Sequence, residues 1–282
     1  MIDYIPTALV LAAFALHLLG ERRAAVLTGR RRSREARRRA FTFYAGLAVV
    51  LAALQSPIDS LSAQLLWVHM IQHLLLLVVA APLIVVGRPW LSLWRPLPLA
   101  FRRAAVRAAL HARAFAPLRA LFGALVTPPG AWLLYNANLI FWHLPGPYDV
   151  TLRNLDIHVV EHTLFLLTGI LFWAQVLALA PARHRLALPA RIAYVAAAIV
   201  PNVGLSWYLA FAQHPLYAPY AALAHRPGGI SALADQQIGA GIMWGPGDVP
   251  YGIAISVLVQ RWLAGLAATD TTSQELEQVG AR

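Results

Sequence analysis

Seven long, predominantly apolar runs constrain this 282-residue chain more than any other feature. An α-helix rises about 1.5 Å per residue, so a run of about 20 apolar residues can cross the hydrocarbon core of a bilayer. Only 12% of the residues are charged, whereas about a quarter of an average soluble domain is charged. We therefore predict an all-α polytopic membrane protein, a single integral membrane domain built as a seven-transmembrane-helix bundle, with spans near residues 5–20, 41–55, 63–86, 121–142, 157–180, 188–212 and 235–266.

The distribution of arginine predicts the orientation of this bundle. Nine arginines lie between spans one and two, seven between spans three and four, and three after span five, whereas the alternate loops hold only Arg153 and Arg226. Because cytoplasmic loops carry the excess of basic residues, the pattern predicts an N-out/C-in protein with a cytoplasmic tail at residues 267–282. Residues 30–39 (RRRSREARRR) resemble a nucleic-acid patch, but beside a span they are expected to contact anionic lipid at the cytoplasmic face. No nucleic-acid partner is expected.

The residue types that are missing exclude several classes of chemistry. The chain has no Cys, and all 23 of its Lys+Arg residues are Arg. Disulfides, iron–sulfur clusters and thiolate zinc sites are therefore excluded, as are a retinal Schiff base and a P-loop lysine. The sequence has neither a nucleophile elbow nor the zinc-protease signature HExxH, so hydrolysis is not the expected function. Ten His and three Met remain as soft or borderline metal ligands.

Histidines gather in the half of the predicted bundle that faces outward. His69 and His73 are four residues apart in span three, and His158 and His162 have the same spacing in span five, so each pair lies on one helical face. Ionisable side chains inside a bilayer are costly and indicate function by default. The candidate metal ligands are His69, His73, His143, His158, His162 and Met243, and the residues expected around them or at the rim are Met70, Gln72, Glu161, His214, Asp235, Gln236 and Gln237.

The combination of imidazoles and thioethers indicates the class of metal. Without thiolates or several clustered carboxylates, these ligands favour copper, zinc or iron over magnesium or calcium. A nearby Met70 or Met243 favours Cu(I), so copper is the suspected cofactor. Haem is the main alternative, because His73 with His158 or His162 would supply imidazoles from two helices. Interhelical hydrogen bonding also explains an isolated HxxxH pair without any metal.

Short motifs follow one another in a fixed order from about residue 45 to residue 265. SPID at 56–59 precedes HMIQHL at 69–74 and Pro82, FWHLP at 141–145 with Tyr148 and Asp149 precedes HVVEH at 158–162 and LFW at 171–173, and HPLY at 214–217 precedes DQQ at 235–237 and GIMW at 241–244. This ordered combination resembles the multispanning CtaG family of cytochrome c oxidase assembly factors. It is not similar to the single-span copper chaperone of the same name, which relies on cysteines. Gly245 and Asp248 depart from the more apolar residues of the family pattern.

The resemblance implies a multi-pass protein of the bacterial cytoplasmic (inner) membrane that helps to mature a haem–copper oxidase. It implies that copper is bound or delivered to the oxidase catalytic subunit, which is the expected partner. A haem-binding membrane redox protein and a metal-free scaffold for that subunit are the alternatives. The motif positions that the resemblance carries over are His69, His73, His143, His158, His162, Asp235, Gln236, Gln237 and Met243.

Overall fold

The computed structural model describes residues 5–29, 33–182 and 186–280, with side chains described through residue 268. This part of the chain is all-helical and contains no strand. Parts of the predicted segments lie outside the described residues. These parts are three arginines of the predicted basic segment (residues 30–32), Arg183 and Arg185, and the last two residues of the predicted tail.

The described residues form fourteen α-helices and one π-helical turn, together with two short 3₁₀ turns. The α-helices are α1 (Ile5–Thr28), α2 (Arg34–Gln55), α3 (Pro57–Ser62), α4 (Leu66–Leu74), α5 (Ala81–Gly87), α6 (Trp90–Trp94), α7 (Leu99–His111), α8 (Ala116–Leu125), α9 (Pro128–His143), α10 (Pro145–Arg153), α11 (Leu155–Leu177), α12 (Leu188–Ala210), α13 (Ala218–Ala221) and α14 (Ala232–Gly280). The π-helical turn, Leu75–Ala80, joins α4 to α5.

Five of the described helices are long and apolar enough to cross a membrane. They are α1, the stretch Leu66–Gly87 made of α4, the π turn and α5, then α11, α12 and α14 as far as Ala268. α2 has 22 residues, but four arginines occupy its first two turns. The predicted fourth run falls on two helices, because the Thr127 hydroxyl accepts a hydrogen bond from the Gly130 amide and Pro128 begins α9. α9 alone has 16 residues.

α14 continues as one helix through Pro246 and Pro250. A proline leaves the carbonyl four residues earlier without its usual amide donor. α12 packs along this stretch, where Asn202 Nδ2 donates to the Met243 carbonyl oxygen at 3.1 Å and to Asp248 Oδ1 at 3.0 Å. Polar side chains of a neighbouring helix that bond to such a stretch allow a proline-containing helix to persist at membrane depth.

Glycines set the closest approaches to the stretch Leu66–Gly87. A Cβ atom on Gly169 of α11 would lie 2.9 Å from Ala81 Cβ and 3.0 Å from the Leu77 carbonyl oxygen. A Cβ atom on Gly87 would lie 2.7 Å from Cβ of Phe43 in α2. Small residues allow membrane helices to approach closely. The stretch is therefore held between α2 and α11, and it is the most buried of the five candidate spans.

Three connecting segments meet at one end of the bundle. These are the α3 region, α10 between α9 and α11, and the connection from α12 to α14 that contains α13. The Tyr220 hydroxyl donates to the Ser62 carbonyl oxygen, and the rings of Tyr148 and Tyr217 lie 4.2 Å apart. These contacts cover the side chains that α4, α9 and α11 present at this end.

Replacing Gly169 with Val is expected to lower the free energy of unfolding by about 1–3 kcal/mol, because the added atoms overlap Ala81 and the Leu77 backbone. The midpoint of thermal unfolding of the purified protein in detergent measures the change. Gly204→Val is the matched control, since no atom lies within 4 Å of a Cβ at that helical position. Equal losses in both variants would contradict the close-packing role of Gly169.

Candidate metal centre

Five histidine rings pack together where α4, α9 and α11 meet. Within the helices, the ring centroids of His69 and His73 are 4.5 Å apart, and those of His158 and His162 are 4.2 Å apart. Between α4 and α11, His69 lies 5.1 Å from His158, and His162 lies 5.5 Å from His69 and 5.4 Å from His73. His143 of α9 lies 5.6 Å from His73. The two HxxxH pairs therefore face each other, and the five predicted histidines form one cluster.

Glu161 brings the cluster its single carboxylate. Its Oε2 lies 3.6 Å from His69 Nε2, and its Oε1 lies 3.4 Å from His73 Nε2. One potential ligand atom from each of His69, His73, Glu161 and His162 lies within 4.8 Å of the other three, and all four residues are buried. Donor atoms bound to one tetrahedral ion at about 2.0–2.3 Å are separated by about 3.3–3.8 Å. Small side-chain movements would therefore bring these four donors to one ion.

Several polar atoms of this cluster lack hydrogen-bond partners within the described part of the chain. The buried atoms concerned are His69 Nε2, both ring nitrogens of His73, His158 Nε2, His162 Nε2 and both carboxylate oxygens of Glu161. Buried polar groups in proteins are almost always hydrogen-bonded, and leaving one unpaired costs about 1–3 kcal/mol. A cation or ordered water molecules would supply the missing partners. Because three imidazoles approach one carboxylate, the donor set fits a cation of the imidazole-binding class.

A π-helical turn follows His73 directly. Leu75–Ala80 is wound as a π-helix, and the Trp173 indole nitrogen of α11 donates to the Leu77 carbonyl oxygen at 3.0 Å. Pro82 cannot donate an amide hydrogen to a preceding carbonyl, so the regular helical pattern is interrupted near this point. π-Helical turns inside α-helices occur often at functional sites. This turn sets the rotation of α4 relative to α5, and no pattern in the sequence predicts it.

His143, Met70 and Met243 occupy the side of His73 that faces α9 and α14. His143 Nδ1 lies 2.7 Å from the Leu139 carbonyl oxygen, and His143 Nε2 lies 3.3 Å from Met70 Sδ. Met243 joins them around an enclosed cavity of about 10 Å³. The structure thus places Met70 in direct contact with a predicted ligand, although the sequence analysis assigned it to the surroundings of the site.

Asp235 caps the helix that carries His69 and His73. Its two carboxylate oxygens accept from the backbone amides of Leu66 and Trp67, each at 3.0 Å, and Oδ2 lies 3.6 Å from Arg226 Nε. A carboxylate at a helix N-terminus satisfies free amides and interacts favourably with the helix dipole. Asp235 therefore positions the start of α4 and does not contact the imidazoles.

The other polar residues predicted around the ligands tie the helices together or lie outside the cluster. Gln72 Nε2 donates to the Ala53 carbonyl oxygen at 2.8 Å and to Asp59 Oδ1 at 3.2 Å. Gln236 links the Leu216 amide to the Leu209 carbonyl oxygen, and the exposed Gln237 donates to the Ala210 carbonyl oxygen. His214 is exposed on the connection between α12 and α14.

Three tyrosines that were not predicted as site residues cover the cluster. The Tyr148 ring lies 5.2 Å from His69, the Tyr220 hydroxyl lies 3.3 Å from His69 Nδ1, and the Tyr217 hydroxyl donates to the His143 carbonyl oxygen at 2.9 Å. Burial raises the pKa of the Tyr217 and Tyr220 hydroxyls well above the ordinary value of about 10, so both hydroxyls remain protonated. Tyr148 and Tyr217 stand inside sequence motifs, whereas no spacing pattern indicates Tyr220.

A second, larger cavity reaches the cluster from the side. It has a volume of about 630 Å³ and lies between α1, α2 and α11. Most of its lining is apolar, including Leu9, Val50 and Leu166, but His158 and His162 also form part of its wall. The cluster is therefore covered at its tyrosine end and borders a cavity on the α1 side.

An all-helical fold with five candidate membrane-spanning helices and a buried cluster of imidazoles indicates a membrane protein with a candidate metal centre. The family model described as "Cytochrome c oxidase caa3 assembly factor (Caa3_CtaG)" matches residues 23–265. The chain belongs to this family of cytochrome c oxidase assembly factors. All the predicted ligands and Glu161 lie inside the matched range.

Relatives among curated proteins include uncharacterized proteins of Mycobacterium bovis and Mycobacterium tuberculosis. Each is 24% identical to this chain over 230 residues, which cover 79% of this chain. The match covers 34% of each relative, so the chain spans about a third of the length of these relatives. No solved structure gave a significant match.

Asp235→Asn is expected to lower the free energy of unfolding by about 1–3 kcal/mol, because it removes the charge that caps α4 and pairs with Arg226. Thermal unfolding of the purified protein in detergent measures the loss. Asp156→Asn provides a matched control, since that exposed carboxylate lies in the first turn of α11. The capping role would be wrong if Asp235→Asn unfolded at the wild-type temperature.

Proposed function

We propose that this protein is a non-enzymatic assembly factor that holds copper in the histidine cluster and passes it to the catalytic subunit of a haem–copper oxidase. The observation that carries the proposal is the convergence of unpartnered nitrogens of His69, His73 and His162 on Glu161. The family membership supports the link to cytochrome c oxidase. The identity of the metal, its transfer and the contact with the catalytic subunit are the parts of the proposal that go beyond family membership.

Copper suits the donor set better than the other metals of its class. Imidazole nitrogen binds copper, zinc and iron, and affinities for divalent ions peak at copper. The thioethers of Met70 and Met243 beside the cluster add preference for the reduced ion. Zinc shares the nitrogen ligands, and the binding experiment below therefore includes zinc as a competitor.

A carrier has to release its ion, and the two sides of the cluster differ in how they permit this. The tyrosine side is closed by hydrogen bonds from Tyr217 and Tyr220. His158 is only partly buried, and it borders the cavity of about 630 Å³ between α1, α2 and α11. We propose that exchange with the oxidase takes place from this side, through His158 and His162.

The geometry argues against haem as the alternative ligand. Two axial imidazoles stand on opposite faces of the macrocycle, so a porphyrin has to fit between them. The rings of His73 and His162 are 5.4 Å apart, and Phe165 stacks on His73 with a centroid distance of 4.1 Å. The cavity that His73 borders measures about 10 Å³. We therefore propose that a single ion, rather than a macrocycle, binds between His73 and His162.

The arrangement in the membrane is also part of the proposal. We place the chain in the bacterial cytoplasmic membrane with seven crossings, N-out/C-in, by adding α2 and the α8–α9 segment to the five long apolar helices. The cluster then lies toward the outer face, and the arginine-rich connections lie in the cytoplasm. α7 has no buried residue and carries Arg102, Arg103 and Arg107, which fits an amphipathic helix on anionic lipid.

The double variant His69→Ala/His73→Ala is expected to lose at least tenfold in Cu(I) affinity and to leave the cellular oxidase without its copper. Metal content and competition with a chromogenic Cu(I) chelator measure binding after anaerobic purification, with Zn²⁺ added as a competitor. Oxidase activity and copper per oxidase measure the consequence in membranes. The control is His111→Ala, which removes an exposed imidazole at the end of α7.

Full oxidase activity and unchanged oxidase copper in the double variant would overturn the copper proposal and support the metal-free scaffold. A strong Soret band in the purified wild-type protein would instead support the haem alternative. Thermal unfolding of both variants checks that the fold is intact.

Single-cysteine labelling tests the proposed topology cleanly, because the natural chain has no Cys. We expect a membrane-impermeant maleimide to label Ser60→Cys and Gln213→Cys on intact cells, since these exposed residues lie at the proposed outer end. Arg107→Cys on α7 should react only after the membrane is permeabilised. The opposite pattern would reverse the orientation, and equal labelling of all three would contradict the proposed crossings.

A further inference from the structure

We infer that His143 and Met70, together with Met243, form a second metal position that selects a soft monovalent cation and is separate from the group formed by His69, His73, His162 and Glu161. The inference rests on the proposed function for the identity of its cargo, Cu(I). Its geometry comes from different residues, on the opposite side of His73. All three side chains are buried, with exposed fractions of 2% for His143, 1% for Met70 and 3% for Met243.

The hydrogen bond of His143 determines which ring nitrogen is free to bind a cation. Nδ1 lies 2.7 Å from the Leu139 carbonyl oxygen, and a carbonyl oxygen can only accept. Nδ1 therefore carries the hydrogen, and in the neutral imidazole the lone pair is on Nε2. A backbone carbonyl that fixes the tautomer in this way is the usual partner of a metal-binding histidine.

The free nitrogen points at a sulfur atom. His143 Nε2 lies 3.3 Å from Met70 Sδ. Both atoms present lone pairs, so the contact is not a conventional hydrogen bond when His143 is neutral. Two donor atoms that bind one ion at about 2.0–2.3 Å are separated by about 3–4.3 Å, depending on the angle at the ion. The observed separation is within that range.

A cavity adjoins these two donors. Met70, His143, Met243 and His73 all line the enclosed space of about 10 Å³. That volume is about what a single water-sized particle needs. The remaining lining is largely apolar, and it includes Leu74, Leu139 and Phe165. A mostly apolar cavity lined by two imidazoles and two thioethers suits a soft ion of low charge.

α14 packs closely against Met70 because Gly239 has no side chain at the point of contact. A Cβ atom on Gly239 would lie 3.3 Å from Met70 Cγ and 3.4 Å from Trp67 Cα. Any larger residue at this position would push against the Met70 side chain. Four residues further along α14, Met243 reaches the same cavity on the same helical face.

His73 links the two positions. Both of its ring nitrogens are buried without a hydrogen-bond partner in the described part of the chain. Nε2 faces Glu161 at 3.4 Å, and the ring also borders the cavity with Met70 and His143. The cluster with Glu161 supplies a negative charge and suits either copper oxidation state, whereas the sulfur position has neutral ligands. A reduced ion could therefore be held next to the cluster without competing for its carboxylate.

The test uses the full chain, purified anaerobically in detergent, with Cu(I) as the probe. The variants are Met70→Leu/Met243→Leu, which removes both thioethers at little cost in volume, and His69→Ala/His162→Ala, which removes cluster ligands. Leu74→Ile is the matched control, because Leu74 lines the same cavity without offering a donor atom. Chelator competition gives the number of ions bound, copper-edge X-ray absorption gives the neighbouring atom types, and thermal unfolding confirms that each variant is folded.

We expect the wild type to bind two Cu(I) ions, with sulfur among the neighbouring atoms. The methionine double variant should lose the sulfur signal and one equivalent of Cu(I), while the histidine variant and the Leu74→Ile control keep the sulfur signal. Unchanged binding by the methionine variant, or no sulfur signal in the wild type, would overturn the second position and leave the proposed function intact. Loss of all copper from both double variants would indicate one shared site and also overturn it. No copper binding by the wild type would overturn both proposals.

Discussion

The structure depends on one electrostatic arrangement, a buried carboxylate between imidazoles of two helices in an apolar bundle. Glu161 of α11 lies 3.4 Å from His73 Nε2 and 3.6 Å from His69 Nε2 of α4, and its oxygens have no hydrogen-bond partner in the described part of the chain. A charge at this depth is costly unless it is paired. A neutral imidazole can donate an N–H hydrogen bond to this carboxylate, and an imidazolium or a metal cation would in addition balance its charge.

The surrounding helices are built to keep these groups in place. Asp235 accepts hydrogen bonds from the first two amides of α4. These bonds fix the start of the helix and therefore the positions of His69 and His73 along it. Gly169 allows α11 to approach the π turn, and the Trp173 indole bonds to Leu77 within that turn. The residues that make these contacts come from α14 and α11. A metal site on rigid elements holds its ligands closer to the binding geometry than a site on loops.

The sequence predicts the helical class, and helical periodicity places His69 with His73, and His158 with His162, on one face of their helices. It could not predict that α4 and α11 are neighbours, since helix order is a tertiary property. The sequence predicts Asp235 only at the rim of the site. Its capping of α4 could not be predicted, because the contact joins Asp235 to the Leu66 amide across 169 residues of sequence. The π turn and the contact between His143 and Met70 also depend on packing. The fourth predicted run contains a helix boundary at Thr127 that its apolar composition does not indicate.

The two sides of His73 present different ligands to a cation. On one side, imidazoles and the Glu161 carboxylate form a polar cluster that borders a cavity of about 630 Å³ through His158 and His162. On the other side, His143 and Met70 adjoin an apolar space of about 10 Å³ that reaches the α14 helix. A single deep site would bind an ion tightly but would release it slowly. If both proposed positions bind an ion, His73 borders each of them and could stay bound while the other ligands exchange.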